Sequence, residues 1–243
     1  MAEKVKVLVL IPAFNEEKRI GKVIERVRKH LPEGEVVVVN DGSSDRTADA
    51  SIKTGVKVIS LPFNLGVGSA LQTGYKFAVK KGYDYVLQLD ADGQHDPLFL
   101  RIFLEKIRNT KSDLLIGSRF LSPGSYAGSR VRRLGIIFFA KLTSFLIRQR
   151  LTDPTSGYRA MKRPVVELCS QDAYTFDYPD ADFLLALHRQ RFKIEEIPVT
   201  MNPREGGQSQ HRGLGPLFYI FKIMLSILVN LLRKKNERSK YGD

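Results

Sequence analysis

The first 120 residues alternate short apolar runs with segments of helical periodicity, and this alternation restricts the possible folds more than any other feature. The apolar runs are continuous and rich in Val and Ile, as in strands that are buried on both faces. The sequence predicts five such strands, at Val5–Ile11, Val36–Val39, Val56–Leu61, Tyr85–Leu89 and Leu114–Gly117. Helices are predicted between them, at Glu16–His30, Asp45–Lys53, Gly66–Lys80 and Pro97–Arg108. Repeated β-α units of this kind predict an α/β fold in which helices cover both faces of a mostly parallel central sheet.

The pattern changes after residue 122. A long basic and apolar helix is predicted at Arg130–Arg150, a loop with a short strand at Asp153–Met161, and a helix at Asp180–Gln190. A strand at Lys193–Val199 and a final helix at Pro216–Lys235 complete the pattern.

The chain of 243 residues carries a net charge of +13, which is 39 basic minus 26 acidic residues. Hydrophobic residues make up 43% of it, which excludes a wholly disordered chain. The single cysteine, Cys169, excludes an intramolecular disulfide and a cysteine-based zinc cluster. The positive charge favours an anionic partner, such as nucleic acid, lipid headgroups or a phosphorylated substrate, although a solvated basic surface has the same composition.

Polar motifs follow the predicted strands, at the carboxyl ends where open α/β sheets bind their ligands. Asp90 and Asp92 come directly after the fourth strand, and alternate residues of an extended segment point the same way. With Gln94 they offer the hard oxygen ligands that Mg²⁺ or Mn²⁺ prefers. A helix cap and a solvated loop would use the same residues, and His95 is expected to support or cap this loop.

Two further strand ends carry residues suited to a nucleoside. Asp41, in the segment NDGSSD, can accept hydrogen bonds from a ribose or a base, and Gly42 allows close approach of a backbone. Phe14 and Glu16, after the first strand, can lie against and bind a base. A turn followed by a helix N-cap is the structural alternative for both motifs. The segment NLGVG lacks the spacing of a dinucleotide-binding loop and is interpreted as tight packing.

The segments IPAFNE, NDGSSD, DADGQH and GSR, in this order and spacing, resemble the family 2 glycosyltransferases with a GT-A fold. DPTSGYR and the R-x-x-G-x-S pattern at Arg204–Ser209 resemble the dolichyl-phosphate mannosyltransferase group, including the bacterial polyprenyl-phosphate glycosyltransferases. The resemblance implies an inverting, metal-dependent enzyme. It would transfer a sugar from GDP-mannose or a UDP-hexose to a dolichyl or undecaprenyl phosphate.

The resemblance also implies roles for individual residues. The catalytic set would be Asp92, Arg119 and Arg204, and the Mg²⁺ or Mn²⁺ ligands would be Asp92 and Gln94. The nucleotide sugar would be bound by a larger set: Pro12, Phe14, Glu16, Val39, Asp41, Asp90, Ala91, Asp92, Arg119, Arg204 and Gln210. Arg132 falls where the family carries a basic residue near the acceptor site, and Arg130, Arg132 and Arg133 are together assigned to the acceptor phosphate.

Three residues depart from the pattern of the mannosyl enzymes. Asn40 replaces the first Asp of D-D-G-S, Phe14 stands where Tyr is common, and Gln210 stands where a Lys follows G-x-S. The departures leave the identity of the donor open.

The expected organisation is a GT-A domain over residues 1–212, with an amphipathic interface helix at 130–150, followed by an amphipathic helix and basic tail at 213–243. No apolar run reaches the roughly 20 residues that span a bilayer. The longest, Leu217–Leu232, is interrupted by a polar stripe of Lys222, Ser226 and Asn230. Both helices are predicted to lie at the membrane interface, with core packing as the alternative.

We therefore expect a peripheral protein at the cytoplasmic face of a membrane, because the amino terminus has no signal peptide. A small integral-membrane protein is one candidate partner for the C-terminal helix. Nucleic acid is not an expected partner, because no binding motif or stacking pattern is present.

Two alternatives stay open. One is transfer to a glycan or protein hydroxyl, which needs a general base such as Asp177, Asp180 or Asp182. The other is a basic, non-enzymatic module that binds membranes or nucleic acid.

Overall fold

The computed structural model describes residues 5–121, 130–172 and 181–202. In this part of the chain seven strands form one sheet in the order β3-β2-β1-β4-β6-β5-β7. The strands are β1 Val7–Ala13, β2 Glu35–Asn40, β3 Lys57–Ser60, β4 Tyr85–Gln88, β5 Leu114–Ser118, β6 Arg159–Lys162 and β7 Ile194–Pro198. The helices are α1 Ile20–His30, α2 Thr47–Lys53, α3 Val67–Lys81, α4 Phe99–Asn109, α5 Arg130–Ile147, α6 Arg163–Cys169 and α7 Ala181–Arg189.

The predicted α/β fold with a mostly parallel sheet is confirmed. Successive residues of β1 alternate between the two faces, so that Leu8 and Leu10 enter one apolar core while Val9 and Ile11 enter the other. The first core lies against α3, α5, α6 and α7, and the second against α1 and α4. Helices therefore cover both faces, as the continuous apolar strands indicated.

The strand β6 is the one described strand that runs against its neighbours, and it lies between β4 and β5. The start of β6, Arg159, is in register with Gln88 of β4 and Ile116 of β5. The loop that leads into β6 therefore reaches the same sheet edge as the carboxyl ends of the parallel strands. The sequence predicted a short strand here but not its central place in the sheet.

Several element boundaries differ from the sequence prediction for local reasons. The helix α1 begins at Ile20 and not at Glu16; in the turn before it, the N–H groups of Glu16 and Glu17 donate to Oγ1 of Thr47 and Oδ2 of Asp45. The helix α5 ends at Ile147, because Arg148 has a φ of 53°, in the left-handed region. The seven-residue helix α6 was not predicted, since so short a segment shows little periodicity.

The helix predicted at Pro216–Lys235 and the tail that follows it lie outside the described residues. Among the helices that the structure does describe, none combines the length and the apolar character needed to cross a membrane.

Candidate active site

The loops that follow β1 and β2 are joined to each other at the carboxyl edge of the sheet. Oδ1 of Asn15 accepts a hydrogen bond from the N–H of Ser44 at 2.9 Å, and the N–H of Asn15 donates to Oγ of Ser43 at 3.0 Å. The N–H of Glu16 donates to Oγ1 of Thr47 at 2.7 Å. Asn15 has a φ of 55°, which Asn tolerates better than most residues. The segments IPAFNE and NDGSSD therefore form one continuous rim.

Four residues that the resemblance assigns to the nucleoside lie along this rim. Pro12 and Val39 are register partners on β1 and β2, and both are buried. Phe14 is half-buried directly after β1. Glu16 forms an ion pair with Arg19. Pro12 and Val39 are therefore not accessible on the rim, whereas Phe14 and Glu16 are partly exposed on it.

Asp41 anchors a third loop to the rim. Its side chain is buried, and its carboxylate accepts hydrogen bonds from the N–H groups of Leu65 at 2.8 Å and Gly66 at 2.9 Å. A Cβ added to Gly42 would lie 2.2 Å from the carbonyl carbon of Phe63, so this glycine is required by the close approach of the same loop. The sequence predicted that a backbone approaches Gly42 closely, and in the structure this is the backbone of Phe63 and Asn64.

Asn40, where the family usually has Asp, joins β2 to its surroundings. Its Nδ2 donates to Oγ of Ser60 at 3.2 Å, and its Oδ1 accepts from the N–H of Ser43 at 3.2 Å. An amide can donate to one partner and accept from another, which a carboxylate cannot do. This departure therefore has a structural use at the end of β2.

The acidic loop after β4 is held in place by contacts on three sides. Oδ1 of Asp92 accepts from the N–H of Gln94 at 3.0 Å, and the N–H of Asn202 donates to the carbonyl oxygen of Gln94 at 2.8 Å. Ala91 is buried in the core between the two aspartates. A Cβ added to Gly157, in the loop before β6, would lie 3.2 Å from Oδ1 of Asp90. The structure thus brings the predicted metal and diphosphate residues to one edge, with Gly157 packed against them.

His95 supports this loop, as the sequence predicted. Its Nδ1 accepts a hydrogen bond from the N–H of Asp90 at 2.9 Å, and its ring stacks on Tyr158 with centroids 4.8 Å apart. Burial lowers the pKa of His95 to about 4, although the nearby charge of Asp92 acts in the opposite direction. The imidazole is therefore neutral at physiological pH, with its proton on Nε2.

Sequence reasoning missed Arg19, which brings a positive charge into the site. A hydrogen bond with Glu16 is the largest cause that raises the pKa of Arg19, burial opposes it, and the charges of Asp92 and Asp45 add to the rise. The i, i+3 spacing of Glu16 and Arg19 is the signal that could have identified the pair.

Arg119, predicted to bind phosphate oxygens, is held by the buried carboxylate of Asp153. Its Nε donates to Oδ2 and its Nη2 to Oδ1, each at 2.6 Å, and its backbone N–H donates to Oδ2 at 3.1 Å. Thr155 accepts a further bond from Nη2 at 3.1 Å. Arg119 directly follows β5, and the loop that carries its partner Asp153 also packs against Asp90 through Gly157. The arginine and the acidic loop therefore share one site.

Two adjacent glutamates of β7 face opposite sides of the sheet and have opposite pKa shifts. Burial raises the pKa of Glu196 above its ordinary value, although its carboxylate accepts hydrogen bonds from Thr152 and Asp153. Burial also acts to raise the pKa of Glu195. There, hydrogen bonds from Lys106 and two hydroxyl groups outweigh burial and lower the pKa.

The remaining predicted residues are only partly visible. Arg130 and Arg132 belong to the first turn of α5, and Arg133 is exposed on it. Arg204 and Gln210 lie outside the described residues, which stop at Asn202 beside Gln94. Their assigned roles stay predictions.

The donor set at this edge fits Mg²⁺ or Mn²⁺ bound together with substrate. Within residues 5–121, 130–172 and 181–202 there is no group of three or more His, Cys, Asp or Glu side chains that could hold a metal ion. Asp92 and Gln94 offer only oxygen ligands, and Mg²⁺ commonly uses one or two carboxylates and completes its shell with phosphate oxygens and water. The residues therefore suit a cation that arrives with a diphosphate.

The fold and the acidic strand-end loop define a nucleotide-sugar transferase of the GT-A class. Eight solved structures of glucosyl-3-phosphoglycerate synthase from Mycobacterium tuberculosis share the fold. In one, a complex with Mn²⁺, uridine diphosphate and phosphoglyceric acid, the TM-score is 0.70 at 21% identity. The match covers 95% of this chain and 80% of that one.

The chain belongs to the Glycosyl transferase family 2, whose sequence model matches residues 8–169. It is similar to undecaprenyl-phosphate mannosyltransferase of Micrococcus luteus, with 32% identity over 86% of this chain and 88% of the relative. It is also similar to polyprenol monophosphomannose synthase of Mycolicibacterium smegmatis, with 30% identity over 89% and 84%. The predicted family and the prediction of a glycosyltransferase are confirmed.

Proposed function

We propose that the protein transfers a sugar from a nucleotide diphosphate sugar to a polyprenyl phosphate, with inversion and with dependence on Mg²⁺ or Mn²⁺. The observation that carries the proposal is that the loop before β6 contacts both groups: Asp153 pairs with the guanidinium of Arg119, and Gly157 packs against the carboxylate of Asp90 in the acidic loop. A metal-binding carboxylate and a guanidinium at one sheet edge suit a reaction between two phosphorylated substrates. The similarity to an undecaprenyl-phosphate mannosyltransferase and a polyprenol monophosphomannose synthase supports polyprenyl phosphate as the acceptor. GDP-mannose and a UDP-hexose are the candidate donors.

The donor would lie along the strand-end rim. Phe14 and Glu16 would contact the base at the surface of the pocket, and Asp90 and Asp92 would face the ribose and the diphosphate. A divalent ion held by Asp92 and Gln94 would neutralise charge on the leaving diphosphate. Because the N–H of Asp90 is bonded to His95, the main chain that carries these carboxylates is fixed before the donor binds.

The acceptor phosphate needs cations rather than a base. A phosphate monoester has a second pKa of about 6, so it is largely dianionic at neutral pH and can attack the anomeric carbon directly. Arg119 would bind its oxygens or those of the diphosphate, together with Arg204. Arg130, Arg132 and Arg133 at the start of α5 would add positive charge. Asp182, a candidate base for a hydroxyl acceptor, is instead buried and accepts a hydrogen bond from the N–H of Phe183.

The outer face of α5 provides the surface for a lipid. Leu134, Phe138 and Phe145 are 67%, 51% and 80% exposed, and Lys141 is exposed between them. Apolar side chains with neighbouring cations are typical of a helix that lies in a membrane interface. We infer that α5 and the predicted helix of residues 213–243 place the enzyme on the cytoplasmic face of a membrane, with or without a small integral partner.

The activity is tested with a panel of labelled nucleotide sugars, undecaprenyl phosphate and Mn²⁺. We expect label in an organic-extractable product with one donor, and loss of that product in Asp92→Ala. The exposed Asp49→Ala on α2 is the matched control and should retain activity. Label that enters only water-soluble acceptors would reject the lipid acceptor, and full activity of Asp92→Ala would reject the assigned carboxylate.

Membrane binding is tested by sedimentation with vesicles that contain anionic lipid. Phe145→Glu should reduce the bound fraction, because it places a charge on the apolar face of α5. Ile52→Glu, at another exposed apolar residue, on α2, should not change binding. If both variants bind vesicles as well as the unmodified protein does, α5 does not contact the membrane.

A further inference from the structure

The side chain of Asp153 occupies one whole edge of the Arg119 guanidinium. Asp153 has no exposed surface, and its two carboxylate oxygens accept from Nε and Nη2 of Arg119 in a bidentate pair. Charge-assisted pairs of this geometry are strong and directional. A phosphate therefore has to approach Arg119 by another edge, and the direction of that approach is fixed by Asp153.

Asp153 is in turn held by the strand β7. The N–H of Asp153 donates to Oε1 of Glu196 at 2.7 Å, and the N–H of Thr152 donates to both carboxylate oxygens at 2.9 and 2.8 Å. The hydroxyl of Thr152 donates to Oε2 of Glu196 at 2.9 Å. The half-buried carboxylate of Glu196 thus fixes the backbone of two consecutive residues.

The same short turn is also tied to the end of β5. The hydroxyl groups of Ser118 and Thr152 are 2.6 Å apart, and Ser118 directly precedes Arg119. The residues that precede Arg119 and Asp153 in the chain are therefore linked to each other by a hydrogen bond. A freely rotating arginine side chain would lose rotamer entropy each time it binds a phosphate, and the contact with Asp153 removes that loss in advance.

We propose that Asp153 is a positioning residue that holds the guanidinium of Arg119 in place for phosphate binding, and that Glu196 holds the backbone that presents Asp153. The proposal rests on the proposed phosphate-binding role of Arg119. Neither carboxylate touches a substrate, and both act through the arginine. The guanidinium of Arg119 is therefore held in one orientation before the substrate binds.

The test is a double-mutant cycle with Asp153→Asn and Arg119→Gln. In the unmodified background, Asp153→Asn places an NH₂ group against a guanidinium donor and releases the arginine. We expect kcat/KM for undecaprenyl phosphate to fall about 100-fold, the effect of a displacement near 1 Å. In the Arg119→Gln background the same change should cost less than about threefold, because Asp153 then has nothing to position.

A second measurement does not depend on activity. In a ¹⁵N spectrum, the Nε–H signal of Arg119, assigned by its loss in Arg119→Lys, should exchange slowly with water in the unmodified protein. It should exchange rapidly in Asp153→Asn and, to a smaller degree, in Glu196→Gln. Glu195→Gln is the matched control on the same strand and should leave both the signal and the kinetics unchanged.

The outcomes separate the two proposals. If the unmodified protein transfers no sugar to undecaprenyl phosphate, the proposed function fails, and the Nε–H exchange still decides whether Asp153 holds Arg119. If exchange stays slow in Asp153→Asn, or if that change costs as much without Arg119 as with it, the positioning role is overturned. If Asp153→Asn folds poorly, the Nε–H exchange of Arg119 in Glu196→Gln decides instead: slow exchange in that variant would overturn the positioning role.

Discussion

The substitution Gly157→Ala tests whether the position of the Asp90 carboxylate matters for donor use. Gly157 lies in the loop before β6, and its φ is outside the left-handed region, so alanine fits the backbone without strain. The added Cβ would lie 3.2 Å from Oδ1 and 3.5 Å from Oδ2 of Asp90. The first distance is shorter than ordinary contact, so the carboxylate has to move by a few tenths of an ångström.

The size of the effect follows from that displacement. A misplacement of 1 Å at a reacting site can cost about 100-fold, so a few tenths of an ångström correspond to about threefold to tenfold in kcat/KM for the nucleotide sugar. Folding should not suffer, because replacing glycine by alanine where the backbone permits it stabilises by about 0.4–1 kcal/mol through the unfolded state.

The assay compares Gly157→Ala with Gly21→Ala, a change on α1 where the new Cβ has no neighbour within 4 Å. Steady-state transfer gives kcat/KM for the donor, and thermal unfolding gives Tm. We expect both variants to keep or raise Tm and only Gly157→Ala to lose donor efficiency. Unchanged kinetics in Gly157→Ala would refute the reasoning, and so would an equal loss in Gly21→Ala.

Three further predictions concern stability. The pKa of Glu195 is lowered in the folded state, so its contribution to the free energy of unfolding is present above pH 4.5 and is lost as the pH falls through the folded pKa. The pKa of Glu196 is raised, so its contribution is present below pH 4.5 and is lost as the pH rises through the folded pKa. Urea unfolding from pH 3 to 8 should therefore show opposite pH trends for Glu195→Gln and Glu196→Gln, each relative to the unmodified protein; parallel trends would contradict the two environments. Burial raises the pKa of the Cys169 thiol to about 12, so an aromatic disulfide reagent at pH 8 should label it only on unfolding, whereas rapid labelling of the native protein would place it at the surface. Asp41→Asn should lower the free energy of unfolding by about 1–3 kcal/mol, because one amide of the 61–66 loop loses its acceptor, and limited proteolysis should show earlier cleavage there.

The parallel part of the sheet could be predicted because it depends on local patterns. The runs that became β1, β2 and β4 are apolar on both faces, and that composition is itself the signature of a covered parallel strand. The place of β6 could not be predicted, because its pairing with Gln88 and Ile116 joins residues far apart in the chain. Its first residue, Arg159, is fully buried, and a charged residue gives no sign of burial in the sequence.

The residues of the site could likewise be predicted from the sequence only in part. Asp90, Asp92 and Arg119 were identified because they follow strands and occur in recognisable motifs. Asp153 lies inside the quoted segment DPTSGYR, but nothing in the sequence shows that its carboxylate meets a guanidinium 34 residues earlier. Asp41 shows the limit of motif reasoning in another way, because its carboxylate accepts two backbone amides of a neighbouring loop.

The central position of β6 also bears on how the protein is made on the ribosome. The strands β1 to β4 can associate as soon as they emerge, whereas the second partner of β4, the strand β6, begins at Arg159, 71 residues after Gln88. At about 5–20 residues per second, that interval is about 4–14 s. During it the hydrogen-bonding groups on the side of β4 that later pairs with β6 stay open to other nascent chains. We therefore expect synonymous codon changes between these two strands to alter the yield of native protein, which expression of such variants would measure.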